Sequence, residues 1–262
     1  MLSLDLTHKN ALVAGSTQGI GLAAAQALAS LGAQCTLIAR NETALQAALK
    51  TLDTTKGQQH QYLVADYSNP EQVRSVVAAY VAQQPVHILI NNSGGPAAGP
   101  AHTAETDAFL QAFNQHLICN HIVTSLVLPA MKAAHYGRVI NIISTSVKIP
   151  LKGLGVSNTI RGAVASWAKT MANELGSFGI TVNNVLPGAT ATGRLSSIIE
   201  NKSAKSGVEK DEVTKEMLAE IPAGRFGLPE EIAAMVAFLA SPAAAYVNGT
   251  SIPVDGGRTG SI

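Results

Sequence analysis

Residues 10–21 read N-A-L-V-A-G-S-T-Q-G-I-G, and this stretch constrains the chain more than any other. Leu12, Val13 and Ala14 form an unbroken apolar run, the character of a strand end buried on both faces. Gly15, Gly19 and Gly21 follow, and glycines permit a tight turn and a close approach of backbone to a ligand. The alanine-rich segment from about Gly19 through Ala29 then has the composition of a helix. The amino end of such a helix offers free N–H groups and a partial positive field, which suits a pyrophosphate. The spacing is G-x-x-x-G-x-G, looser than the dinucleotide fingerprint G-x-G-x-x-G, and an ordinary strand-to-helix turn would use the same glycines.

With 262 residues of which 47% are hydrophobic, the chain can bury a substantial core, and a single domain spanning 1–262 is expected. Only 13% of residues are charged and the formal net charge is +1, so no nucleic-acid surface and no polybasic membrane patch is predicted. The opening M-L-S-L-D-L-T-H-K has no basic-then-apolar order, and the longest apolar runs are broken short of membrane-spanning length. A cytoplasmic protein without a secretion signal or transmembrane helix is the expectation. Cys35 and Cys119 stand apart from each other and from any ligand-like histidine spacing, so no metal site and no disulfide are predicted.

Strand-like runs at 11–15, 34–39, 62–65, 86–90, 138–143, 180–185 and 251–254 alternate with helical patterns nearly to the end of the chain. That alternation predicts an α/β protein, a Rossmann-like doubly wound parallel sheet flanked by helices in a three-layer α/β/α sandwich. The second strand ends at Arg40, where a dinucleotide site must deal with the adenosine ribose. An arginine there suits a 2′-phosphate through charge-assisted hydrogen bonds, although it also fits a solvated helix start. Asp66 ends the third strand, placed either to cap the following helix or to accept from an adenine amino group. A single long helix is predicted over 104–132, carrying His116 and His121 at a spacing unsuited to metal. Ser144 ends the fifth strand, and Ser157 and Arg161 share a face of the helix predicted over 157–175. The charged excursion at 193–219 could close over a substrate or stand as a solvated helical insertion.

With these pieces in order, the chain resembles the short-chain dehydrogenase/reductase family along nearly its whole length. The resemblance rests on A-G-S-T-Q-G-I-G at 14–21, N-N-S-G at 91–94, G-R-V-I-N-I-I-S at 137–144, I-T-V-N-N-V-L-P-G at 180–188 and V-D-G-G at 254–257. It implies that Gly15, Ser16, Thr17, Gly19, Ile20 and Gly21 approach the pyrophosphate, Arg40 the 2′-phosphate, and Asp66 the adenine. It places Asn92 and Gly94 at the adenosine half, and Pro187, Gly188 and Thr192 near the nicotinamide. NADP(H) is thereby favoured over NAD(H), with a small-molecule carbonyl or alcohol as substrate and a homotetramer or homodimer as the assembly.

The family's usual catalytic group is an Asn in the long helix, a Ser after the next strand, and a Tyr-x-x-x-Lys pair in the helix beyond. Here Ser144 matches the serine, but Ser157 stands for the tyrosine, Arg161 for the lysine and His116 for the asparagine. A serine hydroxyl is a far weaker acid than a phenol, and arginine stays protonated. Histidine alone among the four exchanges protons near neutral pH. The sequence therefore predicts that Ser144 and Ser157 orient a carbonyl while His116 supplies its proton, directly or through water, and that Arg161 holds ribose or phosphate. A 3-oxoacyl reductase-like activity is one form of this expectation. An NADP(H)-binding protein with little standard activity, and a non-redox isomerase or lyase, are the alternatives.

Overall fold

In the computed structural model, which describes residues 3–261, the alternation of elements follows the sequence pattern. Seven strands form one sheet: β1 (Asn10–Ala14), β2 (Gln34–Ala39), β3 (Gln61–Val64), β4 (Ile88–Asn91), β5 (Gly137–Ile142), β6 (Ile180–Pro187) and β7 (Ser251–Val254). All neighbours run parallel in the order β3-β2-β1-β4-β5-β6-β7. The chain direction of strand addition reverses between β1 and β4, which leaves a crevice beyond the carboxyl ends of those strands.

Successive residues of the strands enter two separate cores, so the sheet is covered on both faces. Ala11, Val13, Leu37, Ile90 and Ile140 pack with Leu28 of α1 (Gly19–Ser30) and Val236 of α9 (Pro229–Ala240). Leu12, Ile38, Leu89, Val139 and Val182 face the other way, against Val77 of α3 (Pro70–Val81), Val123 of α5 (Cys119–Ala133) and Ala172 of α6 (Gly155–Leu175). This double burial is why the strands read as continuous apolar runs. Each fully buried aliphatic side chain contributes roughly 1.5–3 kcal/mol. Cys35 and Cys119 belong to these cores, and burial pushes both thiols up to about 12.

Local chemistry sets the helix starts and corrects two expectations. Asn41 caps α2 (Glu42–Leu49), its side chain accepting from the Ala44 N–H at 3.0 Å. At α3 the cap is Asn69, accepting from the Gln72 N–H at 3.1 Å with Pro70 in the first turn, so capping does not fall to Asp66. The single helix expected over 104–132 is divided into α4 (Thr106–Phe113), a π-helical turn (Asn114–Ile118) and α5. A π-turn widens the backbone by one residue per turn, a distortion that residue spacing does not announce. The excursion at 193–219 forms α7 (Gly193–Ser206) and α8 (Lys210–Ala219), with only Leu195 and Val213 buried in them. Among the described residues no helix is long and apolar enough to cross a membrane.

Near the carboxyl ends of the central strands, a line of side-chain amides crosses the sheet. Asn91, Asn141, Asn184 and Ser251 are paired in register on β4, β5, β6 and β7. The Asn91 amide donates to Asn141 Oδ1 at 2.9 Å, Asn141 donates to Asn184 Oδ1 at 3.0 Å, and Asn184 donates to Ser251 Oγ at 3.0 Å. Asn141 is fully buried, so a break in the line leaves polar atoms without water. Replacing Asn141 by the similarly branched leucine strands the Asn184 acceptor and one of the two Asn91 N–H donors, the other still reaching Thr124 Oγ1 at 3.5 Å. Two unsatisfied groups at about 1–3 kcal/mol each give an expected loss of about 3 kcal/mol in equilibrium urea unfolding.

Candidate active site

The turn after β1 is built around contacts that leave no room for side chains. Gly15 has φ +59°, and a Cβ there would lie 2.8 Å from the Asn92 carbonyl oxygen. Asn92, just past β4, donates its amide to the carbonyls of Ala14 at 3.3 Å and Gly15 at 3.1 Å. Gly21 lies in the first turn of α1, where a Cβ would meet the Asn92 amide nitrogen at 2.7 Å. Gly19 is left-handed at φ +55°, with Thr192 Cγ2 3.2 Å from where its Cβ would stand. The glycines thus bring β1, α1, the end of β4 and the segment after β6 to one point.

From this point a cleft of about 1900 Å³ runs along the carboxyl edge of the sheet. Gly15, Thr17, Gly19 and Ile20 line it at the turn, while Ser16 and Gly21 do not. Ser16 is fully buried, its hydroxyl 3.5 Å from the Ile38 carbonyl, and Gly21 serves helix-to-turn packing. Arg40 and Asp66 line one end of the cleft. Arg40 is exposed and in no ion pair among the described residues, so its donors are free for an anion. Asp66 Oδ1 accepts from the Ser68 N–H at 2.9 Å. That bond above all, with the Arg40 charge adding to it, holds the Asp66 carboxyl below its usual range. Asn92, Gly94, Pro187, Gly188 and Thr192 lie along the middle of the same cleft.

At the other end, Ser144, Ser157 and Arg161 come together on the wall. Ser144 follows β5 and accepts through Oγ from the Ser146 N–H at 3.1 Å, capping the 3-10 turn Thr145–Val147. Ser157 and Arg161 lie one turn apart on α6. Arg161 is only 8% exposed, donates to the Ile142 carbonyl at 2.9 Å, and has no carboxylate partner among the described residues. Burial, helped by the charge of Arg194, lowers its pKa to about 10, so it remains a cation at neutral pH.

His116 is placed differently. It sits in the π-helical turn, buried, and is not part of the cleft wall. Its Nδ1 lies 2.7 Å from Oγ of Ser93, which does line the cleft, and its Nε2 has no partner. Burial first, then the charges of Arg161 and Arg194, push the imidazole down to about 2, so it is neutral near pH 7. Two residues that the sequence reading passed over therefore belong to this site, Ser93 as the contact of His116 and Arg194 as a charge at the cleft mouth. Ser93 stands inside the N-N-S-G motif and Arg194 two residues beyond Thr192, signals that motif position alone could have raised.

A parallel sheet with a glycine turn at its order reversal defines a Rossmann-like dinucleotide-binding architecture. The comparisons with known proteins narrow this. A family model described as Enoyl-(Acyl carrier protein) reductase matches residues 14–259. The 3-oxoacyl-(acyl-carrier-protein) reductase of Vibrio cholerae is 34% identical over 256 residues, covering 97% of this chain and 98% of that protein. A variant of actinorhodin polyketide ketoreductase solved with NADPH aligns at TM-score 0.90 and 33% identity, covering 97% of this chain and 98% of its own. The L-sorbose reductase of Gluconobacter frateurii, complexed with NADPH and L-sorbose, aligns at TM-score 0.92 and 27% identity over 100% of both chains. The chain belongs to the short-chain dehydrogenase/reductase family.

A neutral buried histidine has a consequence for stability against pH. The unfolded imidazole takes up a proton below about 6.5 while the folded one resists until about 2. The unfolded state therefore binds more protons in that window, and stability falls with pH by about 1.4 kcal/mol per unit below 6.5. Between pH 7 and pH 5, native protein is expected to lose about 2 kcal/mol more than His116→Asn in urea unfolding, and equal losses would contradict the neutral assignment.

Proposed function

We propose that the protein is an NADP(H)-dependent oxidoreductase that interconverts a carbonyl and an alcohol. The observation that carries this reading is one cleft with an unpaired arginine, Arg40, at one end and Ser144, Ser157 and Arg161 gathered at the other. The residues fit the cofactor: the glycine turn leaves backbone exposed to a pyrophosphate, Arg40 offers a fork to a 2′-phosphate, and Asp66 faces the adenine end. Solved relatives that carry NADPH support the same choice. Bound NADPH would supply the hydride.

The chain's own contribution is to hold the carbonyl and stabilise the oxygen as it gains charge. Ser144 and Ser157 donate hydrogen bonds to that oxygen, and Arg161 adds a fixed positive charge in a site of low polarisability. Arg161 also replaces the usual lysine as a donor to ribose, but it cannot give up a proton. The proton therefore reaches the oxygen from water through the serine hydroxyls. His116 orients Ser93 as a neutral partner in place of supplying the proton itself, a role its burial favours. The substitution of Ser157, Arg161 and His116 for the usual tyrosine, lysine and asparagine is thus read as a shift from an acid in the protein to charge stabilisation with solvent as the acid.

Within a single domain, α7 and α8 form the cover over the substrate end. The attachment of α7 to the 96–98 loop supports this: Arg194 donates to the Pro96 carbonyl at 2.6 Å and Lys205 to the Ala98 carbonyl at 3.4 Å. Self-association as a homotetramer or homodimer through α4, α5 and α6 is supported by Leu110 and Phe113, apolar and exposed on α4. A second reading, NADP(H) binding with little turnover, is favoured by one observation: none of Ser144, Ser157 and Arg161 exchanges a proton readily near neutral pH.

NADPH oxidation over a panel of carbonyl compounds separates the two readings, since tight NADPH binding with no turnover selects the second. Arg40→Ala should raise the NADPH dissociation constant about 10- to 100-fold, the worth of a charge-assisted pair, and move NADH by no more than about two-fold. Ser144→Ala should lower kcat/KM about 100-fold with NADPH binding retained.

A further inference from the structure

Charges of one sign collect around the serine end of the cleft. Arg161 is more than nine-tenths buried there and spends one hydrogen bond on the Ile142 carbonyl. Above it, the Arg194 guanidinium lies against the backbone of Gly95, where a Cβ would be 3.2 Å from Nη2. Its one hydrogen bond goes to the Pro96 carbonyl, and no carboxylate pairs with it among the described residues. The guanidinium carries five donors in a planar fork, so most of them remain without a partner in a side chain that lines the cleft.

The acids of the cleft wall are occupied elsewhere. Asp66 belongs to the Arg40 end, and Glu220 is paired with Arg258. Three of the cover's lysines are also neutralised, Lys202 by Glu216 at 2.9 Å, Lys210 by Glu200 at 3.1 Å and Lys215 by Glu212 at 3.7 Å. The cover's cations without a carboxylate are Arg194 and Lys205, and both are turned onto the 96–98 loop at the cleft. Over 193–219 the chain has five basic and five acidic side chains, so the cover carries no net charge.

We propose that the substrate is an oxo acid, a carbonyl compound bearing a carboxylate, and that Arg194 holds the carboxylate at the cleft mouth while Arg161 attracts it from below. This rests on the reading of the cleft as an NADP(H)-dependent oxidoreductase. The guanidinium fork matches the two carboxylate oxygens in a bidentate pair, and the substrate charge offsets cations that otherwise repel one another. That repulsion registers on the neighbours: Arg194 helps to lower both Arg161 and His116. Reduction would take the hydride of NADPH to the carbonyl carbon and one proton from water to its oxygen, giving a hydroxy acid and NADP⁺.

The test compares oxo acids with their methyl esters, beginning with benzoylformate and levulinate, by NADPH oxidation with the full chain. The acids are expected to exceed the esters at least about ten-fold in kcat/KM, and Arg194→Gln should bring that ratio close to one, with Arg194→Lys restoring part of it. Thermal stabilisation of the NADPH complex by each acid and ester gives a second readout that needs no turnover. Ester preference in the native protein, a ratio or stabilisation that ignores Arg194, or a weakening of NADPH as large as the loss of acid selectivity overturns the proposal. The last outcome assigns Arg194 to the cofactor. Oxidation of NADPH by neutral carbonyls alone overturns the oxo-acid assignment and leaves the oxidoreductase reading standing, whereas failure to bind NADPH overturns both.

Discussion

A single side-chain amide, that of Asn92, ties the two halves of this molecule together. Its hydrogen bonds to the carbonyls of Ala14 and Gly15 join the end of β4 to the turn after β1, across the place where the strand order reverses. Everything that lines the cleft is registered from there. The turn can come so close only because Gly15 and Gly21 present no Cβ to the amide. The nucleotide-binding turn is therefore a contact between strands first, and its shape toward a ligand follows from that contact.

The architecture was legible in the sequence because double burial writes itself as apolar runs, and those runs recur between helical patterns. The glycine turn, Arg40 and the helix carrying Ser157 and Arg161 were legible for the same kind of reason: position along a strand or helix fixes which end of the sheet a residue reaches. What was not legible depends on departures from regular spacing. The π-helical turn at Asn114–Ile118 carries no residue signature, and it is the element that buries His116 behind Ser93. The start of α3 at Pro70 makes Asn69, the residue just before it, the cap in place of Asp66. Ser16 and Gly21 stand in the glycine motif with their side-chain positions facing inward, a packing role that the motif does not announce.

The serine end of the cleft differs from the family's usual set in acid–base character more than in charge, with Ser157, Arg161 and His116 at the three departing positions. A buried arginine with no acid beside it keeps a permanent positive charge where a lysine would keep a titratable one. His116 stays neutral, because burial disfavours its charged form and the Arg161 and Arg194 cations add to that cost. Ser93, Ser144 and Ser157 supply the polar contacts that such a field needs. In the proposed mechanism the site acts by electrostatics and orientation, with water as the proton source.

The line of amides from Asn91 to Ser251 has a further meaning for how the sheet assembles. Each amide donates toward β7, and Asn141 and Asn184 accept from the side of β4, so the line has a direction as well as a position. A slip of one residue in β5 or β6 would send its amide to the opposite face, and a slip of two would set it against an aliphatic residue such as Leu89, Val139 or Val182. Parallel strands far apart in sequence have few other means of telling one alignment from the next, since their aliphatic side chains are nearly interchangeable. The amides act as the teeth of a key, admitting one alignment of four strands and charging every other with an unmatched polar group in a dry interior.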